Sequence, residues 1–242
     1  MTTFVLLHGA WHGGWCWNRV RPLLRDQGHD VFTPTFSGVS DRAHLLTRST
    51  GLETHITDIV RLLDFEDLTS VHLVGHSYAG QVIAGVAQQR PERLAMRIHL
   101  DSFVPHDGER AIDLLPADVA AHYRDAVEGP GDGWLIPPRS LEVLGVTDPT
   151  DVQWISERLT PQPWLTYEEA VHAPPLATGV PGAFIHCTDW LDVFAPFARR
   201  ARDAGWPVYE ISSGHEVMVT QPDELADVLQ AIVKSSAARG AM

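Results

Sequence analysis

Ser77 sits in the run Gly75-His76-Ser77-Tyr78-Ala79-Gly80, between an apolar stretch, Val71 to Val74, and a helix-compatible one, Gln81 to Gln89. Strand, tight turn and helix make the setting of a G-x-S-x-G-like elbow. Such a turn strains the serine backbone and projects its hydroxyl from the sheet edge. Small residues are needed where strand and helix approach, and Gly75, Ala79 and Gly80 supply them. Ala79 stands where a fifth-position glycine is usual. The plainer description is a glycine-rich βα turn with a surface serine. A serine hydroxyl alone is a weak nucleophile and needs a base. Ser213-Gly214-His215-Glu216 lies between the last expected strand and the last expected helix. In a parallel sheet this puts His215 at the strand-end face that carries Ser77, with serine preceding histidine in the chain.

The carboxylate that would orient the imidazole has two claimants. Asp101 ends the strand expected at Arg97 to Leu100, beside the strand of the nucleophile, where an ionised carboxylate is costly unless paired. Asp192, with Asp189 near it, follows the strand expected at Ala183 to Cys187, and Asp192 has a second use as N-cap of a helix from Val193. Asp101 is favoured, with Asp192 as the alternative acid. A tetrahedral intermediate needs two N–H donors. Tyr78, directly after the nucleophile, offers one, and Ala10 in the Gly9-Ala10-Trp11 turn offers the other. His8 and His12 flank that turn without a carboxylate between them and read as loop packing, so no metal is expected. Neither a G-x-x-x-x-G-K nor a G-x-G-x-x-G pattern is present, and no cofactor is expected.

Positioning these groups requires a sheet. Phe4 to Leu7 is a short continuous apolar run, the mark of a strand buried on both faces. An amphipathic helix is expected over Trp15 to Arg25 with Gly28 as its stop, then a strand at Val31 to Pro34 and a loop over Phe36 to Arg42. A helix from Leu52 to Leu63 carries Ile56, Ile59, Val60 and Leu63 at helical spacing. Past the elbow, Pro91-Glu92-Arg93 breaks the helix. From His106 to about Val180 the βα rhythm stops, prolines and tryptophans rise, and short helices are expected at Ala111 to Leu115 and Ala117 to Val127. The rhythm returns with a helix over Val193 to Ala204, a strand at Val208 to Ile211 and a helix from Pro222 to Val233. The tail from Ser235 to Met242 is expected to fray. The domain reading is a core of 1–105 and 181–242 with an inserted helical cap of 106–180. Trp11, Trp134, Trp154, Trp164 and Tyr167 are candidate linings of a pocket between the two, or else belong to the cap's own small core.

Composition narrows the partners. The formal charge of -13 over 242 residues argues against nucleic acid and anionic membrane. No apolar run approaches the length of a membrane span, and the first residues run into a strand without a basic leader, so a cytoplasmic protein is expected. Cys16 and Cys187 set no disulfide or zinc pattern and read as small core residues.

With its elbow, His215 and the segment His8-Gly9-Ala10-Trp11-His12-Gly13-Gly14-Trp15, the chain resembles an α/β-hydrolase over nearly its whole length. It is most similar to the branch of plant methyl-salicylate esterases, hydroxynitrile lyases and their bacterial esterase relatives. The resemblance implies a mostly parallel central sheet flanked by helices with a small inserted cap. It also implies acyl transfer without a metal: Ser77 attacks an ester carbonyl, His215 moves the proton, and water releases the acid. By length, that family's usual acid position falls near Leu191. Lyases of the branch carry lysine after the histidine and threonine where Gly9 stands, whereas this chain has Glu216 and Gly9. The expected function is hydrolysis of small apolar or aromatic carboxylic esters. A carbon–carbon lyase and a receptor-like binding module are the alternatives, and a homodimer is left open.

Overall fold

The computed structural model describes residues 1–174, 176 and 179–240. Six strands form one sheet: β1 (Thr3–Leu7), β2 (Asp30–Phe32), β3 (Val71–Ser77), β4 (Leu94–Ser102), β7 (Gly182–Cys187) and β8 (Val208–Ile211). Their order is β2-β1-β3-β4-β7-β8, and every described pairing is parallel. The continuous apolar runs explain the burial: Phe4 to Leu7 and Val71, Leu73 and Val74 are all 0% exposed, as strands covered on both faces must be.

Ten helices accompany the sheet among the described residues: α1 (Val20–Asp26), α2 (Leu52–Phe65), α3 (Ala79–Gln89), α4 (Ala111–Leu114), α5 (Ala117–Glu128), α6 (Pro149–Ser156), α7 (Leu165–Glu168), α8 (Ala195–Asp203), α9 (Val217–Thr220) and α10 (Pro222–Gly240). α2 packs on α3, and α1 packs on α10. After β1 the chain crosses outward to β2, and after β3 it crosses the other way to β4. Right-handed crossovers then put α1 and α3 on opposite faces. The loops after β1 and β3 diverge, leaving a crevice at their C-terminal ends where ligands bind in sheets of this kind.

Several boundaries differ from expectation for identifiable reasons. The helix expected over Trp15 to Arg25 is a 3₁₀ turn, Gly14–Trp17, followed by α1. Pro22 has no N–H and would break a helix begun at Trp15, but it fits the first turn of one begun at Val20. The strand expected to Pro34 ends at Phe32. Within the expected loop Phe36 to Arg42 a 3₁₀ turn begins, Ser40–Leu45. α8 starts at Ala195, with Pro196 in its first turn and Phe194 at the N-cap, so Asp192 caps nothing. The tail does not fray at Ser235: α10 continues to Gly240, with good helix formers and no stop signal before that glycine. Ala241 and Met242 lie outside the described residues.

Between β4 and β7 the chain leaves the sheet. α4 and α5 fall where the sequence put them. α6, α7 and a two-stranded ribbon of β5 (Leu135–Ile136) with β6 (Gln162–Pro163) add to them. Two-residue strands have no alternation to read, which is why the ribbon is silent in the sequence. The inserted segment grips the ends of the sheet at two loops. His215 N–H donates to the Leu144 carbonyl at 2.9 Å, and Thr160 N–H donates to the Trp11 carbonyl at 3.0 Å.

Candidate active site

Ser77 ends β3 with φ +57°, the left-handed backbone expected of a nucleophile elbow. Close approach explains the small residues around it. A side chain at Gly80 would collide with the backbone of Phe103. One at Gly9, on the neighbouring loop, would come within 2.9 Å of His76 Nδ1 and 3.0 Å of Ser77 Cβ. Ala79 is 0% exposed, so its methyl is accommodated within the core.

Asp101 owes its position to an irregularity in the sheet. His76 pairs with Leu100 and Ser77 with Ser102, leaving Asp101 as an extra residue in β4. A bulge of this kind re-aims a side chain, and Asp101 takes φ +41°, a conformation Asp tolerates better than most residues. Its carboxylate, 0% exposed, accepts from His215 Nδ1 at 2.7 Å through Oδ2 and from Cys187 N–H at 3.3 Å through Oδ1. With Nδ1 donating to a carboxylate, the Nε2 lone pair is left to accept a proton. The other acids lie apart. Asp192 is exposed and meets His186 Nε2 at 3.2 Å, and Asp189 accepts from Thr188 Oγ1 at 3.2 Å. Leu191 is 53% exposed and apolar.

The imidazole of His215 is enclosed by rings the sequence did not single out. Trp190 stacks on it at 4.3 Å between centroids, and Phe194 does so at 5.2 Å. His76 lies 4.2 Å away and donates from Nε2 to the His215 carbonyl at 3.0 Å. Burial holds the His76 pKa well below the ordinary histidine value, with the neighbouring His215 acting in the same direction, so the ring stays neutral. His76, His215 and Glu216 have ligating atoms within 4.8 Å of one another. The two rings are already engaged, His215 with Asp101 and His76 with the His215 carbonyl.

Ala10 and Tyr78 both come to the elbow. Leu7 pairs with Gly75, so the loop after β1 lies beside the end of β3. Among the described residues, neither the Ala10 N–H nor the Tyr78 N–H has a protein partner. The Tyr78 N–H also opens α3, where the helix dipole favours negative charge. The Tyr78 side chain is buried and bonded to His55 Nδ1 at 3.0 Å. His8 is a packing residue, as expected. It donates from Nδ1 to the Gly9 carbonyl at 2.8 Å and accepts from Phe36 N–H at 3.1 Å, and burial lowers its pKa to about 3.

The four tryptophans do not share one place. Trp11 is 5% exposed, and its indole N–H donates to the Ile136 carbonyl at 3.0 Å. Trp134 has the Arg48 guanidinium 4.9 Å over its ring and shares a hollow of about 140 Å³ with Trp164. Trp154 lies edge-on to Trp15 with Arg19 and Arg158 over its ring, at 5.3 and 5.1 Å. A run of rings that includes two of the candidates leads from Trp11 through Tyr123, Tyr167, Phe103 and Phe194 to His215. Two open hollows, of about 630 and 700 Å³, include none of Ser77, Asp101 and His215 in their linings.

A parallel sheet with a strained serine after its third strand and an imidazole–carboxylate pair at the neighbouring strand ends defines a hydrolase of the α/β class. The sequence profile described as Alpha/beta hydrolase family matches residues 4–228, and the chain belongs to that family. A carbendazim hydrolyzing esterase of Nocardioides sp. (strain SG-4G) is 38% identical over 244 residues, covering 96% of this chain and 100% of that protein. Methylesterase 1 of Arabidopsis thaliana is 35% identical over 105 residues, which are 42% of this chain and 40% of that one. An extracellular α/β-hydrolase from a Paenibacillus species superposes with a TM-score of 0.85 at 24% identity, over 95% of this chain and 98% of that one, which shows the shared fold.

Proposed function

We propose that the protein is a carboxylic ester hydrolase working through an acyl-enzyme on Ser77. The observation that carries this is the 2.7 Å contact of His215 Nδ1 with the buried Asp101 carboxylate, on the sheet edge that holds Ser77 at φ +57°. Ser77 Oγ attacks the ester carbonyl while His215 Nε2 takes its proton. The N–H groups of Ala10 and Tyr78 receive the oxyanion as the tetrahedral intermediate forms. His215 then gives the proton to the leaving alcohol. Water, activated by the same imidazole, reverses the sequence and frees the acid. Asp101 keeps the imidazole in the required tautomer and stabilises its charged form.

The esterase relatives support this reading over lyase chemistry, and so does the space at residue 9. The threonine of the lyase-type pattern would place its Cβ 2.9 Å from His76 Nδ1. The inserted segment 106–180 is read as a cap over a core of 1–105 and 181–242. Tyr123 and Tyr167, in the run of rings that ends at His215, line the acyl site and favour flat apolar groups. The unpaired buried Cys16 and Cys187 support a reducing, cytoplasmic setting. Among the described residues, no helix is long and apolar enough to cross a membrane.

Turnover of p-nitrophenyl acetate, methyl benzoate and carbendazim, with and without a serine-directed phosphonate, tests the assignment. The expected result is stoichiometric loss of activity with the adduct on Ser77, no turnover by Ser77→Ala, and full activity after dialysis against a chelator. Unchanged turnover by Ser77→Ala would overturn it.

A further inference from the structure

Glu216 follows His215 directly and is 1% exposed. The side chain of His12 is 2% exposed. Oε2 of Glu216 lies 3.3 Å from His12 Nε2, too poorly aligned for a hydrogen bond as placed, and neither atom has a hydrogen-bond partner among the described residues. The other nitrogen of His12 is committed. Nδ1 donates to the Ala10 carbonyl at 2.7 Å. An unprotonated Nε2 would therefore aim its lone pair at a carboxylate lone pair in a site without water access, an arrangement buried polar groups do not sustain.

The other groups facing Glu216 cannot neutralise it. The Cys16 and Cys187 thiols are kept protonated by burial, and Glu216 itself pushes them the same way. His76, within 4.8 Å, is held neutral by burial with its Nε2–H given to the His215 carbonyl, and His215 gives its Nδ1–H to Asp101.

His12 reaches the oxyanion loop through one peptide. The carbonyl of that peptide, on Ala10, accepts from His12. Its N–H, on Trp11, donates to Gln162 Oε1 at 3.2 Å. Gln162 is fixed in turn by Thr166 Oγ1 at 2.9 Å. Trp11 takes φ +68°, so this peptide plane is held against its own backbone preference. Its orientation sets the torsion next to the Ala10 N–H.

We propose that His12 and Glu216 hold one buried proton between them and act as positioning residues, tying the loop of His215 to the Ala10–Trp11 peptide. The proposal rests on the ester-hydrolase reading of Ser77 and His215. Without the tie, the Ala10 N–H drifts from the oxyanion, and a displacement of about 1 Å is enough to lose about 10²-fold in rate.

Imidazole-proton NMR of the full-length protein tests the pairing, and kinetics test its role. The wild type should show, beside the low-field proton of the His215–Asp101 pair, a second low-field imidazole proton that disappears in Glu216→Gln and His12→Asn. Glu216→Ala should lower kcat on p-nitrophenyl acetate by about 10²-fold with little change in KM. Phosphonylation of Ser77 should slow in parallel. Glu216→Gln should recover most of the loss, since its amide can donate to a neutral His12 Nε2. If Glu216→Ala does not fold, Glu216→Leu carries the same expectation. Persistence of the second low-field proton, the one not lost in Asp101→Asn, in Glu216→Gln, or wild-type kcat in the Ala and Leu variants, overturns the proposal. A wild type that shows the proton but neither turns over an ester nor reacts with the phosphonate overturns the esterase reading, and the positioning role with it, while the pairing stands.

Discussion

Asp101→Asn is the sharpest test of the triad, because almost everything except chemistry survives it. Asn tolerates the φ of +41° at this bulge, whereas most residues would add strain. Its side-chain oxygen can still accept from Cys187 N–H, the 3.3 Å bond made by Oδ1 in the parent. What changes is the atom 2.7 Å from His215 Nδ1: a carboxylate oxygen becomes an NH₂ group. To avoid two donors meeting, His215 must put its proton on Nε2, where it blocks acceptance of the Ser77 proton. Loss of the correct tautomer in comparable triads costs about 10³- to 10⁴-fold in kcat, about 4–5.5 kcal/mol of transition-state stabilisation, with KM little changed. Asp192→Asn should behave like the parent. Its carboxylate is 69% exposed, and an exposed pair with His186 contributes at most about 1 kcal/mol to stability and nothing to the site. Steady-state kinetics on p-nitrophenyl acetate would be run beside a thermal melt of each variant. Parental kcat in Asp101→Asn, or a large loss confined to Asp192→Asn or Asp189→Asn, would refute the assignment.

Acid should destabilise the protein through buried histidines other than His215. Burial lowers His8 and His99 to about 3 and His55 to about 4. The unfolded chain therefore binds more protons than the native one below about pH 6.5, and stability falls as pH drops from there toward those values. Each group contributes a slope of about 1.4 kcal/mol per pH unit within that window. Urea midpoints equal at pH 7 and pH 5 would contradict this. Trp154→Ala should lower the melting temperature and leave the ranking of ester substrates unchanged, because the ring sits against Trp15, Arg19 and Arg158. A changed ranking would return that residue to the pocket. Mandelonitrile should release cyanide more slowly than esters are hydrolysed, and the reverse order would favour lyase chemistry.

The parts legible in the sequence are those with a local signature. Continuous apolar runs announced β1 and β3, and glycine spacing announced the elbow, because strand burial and close backbone approach constrain the residues involved. Ring contacts have no such signature. Trp190 and Phe194 are a few residues past β7, and only the fold brings them onto His215. The candidate tryptophans could not be placed by the sequence for a similar reason. Composition marks aromatic residues as buried but not against what, and all four are paired with arginine or another ring. Glu216 left a fainter trace. An acid directly before Val217-Met218-Val219, all 0% exposed, is a charge entering the core and so must have a partner.

The acid shows how one bulge redistributes work among the loops. A carboxylate after β7, near Leu191, would oblige the Asp189 to Val193 stretch to hold a fixed hydrogen bond to His215. With Asp101 supplying that bond from β4, the stretch makes a different contact. Trp190 and Phe194 lie on the imidazole, while Leu191 and Asp192 are exposed. Aromatic walls there exclude water from the base and present flat apolar surface beside the reacting carbonyl. The orientation of His215 thus depends on the sheet, which is rigid, and the shape of its surroundings depends on a loop, which sequence change can vary without disturbing the triad. Substitutions at Trp190 should accordingly alter which esters are preferred, whereas substitutions at Asp101 should lower turnover of all of them alike.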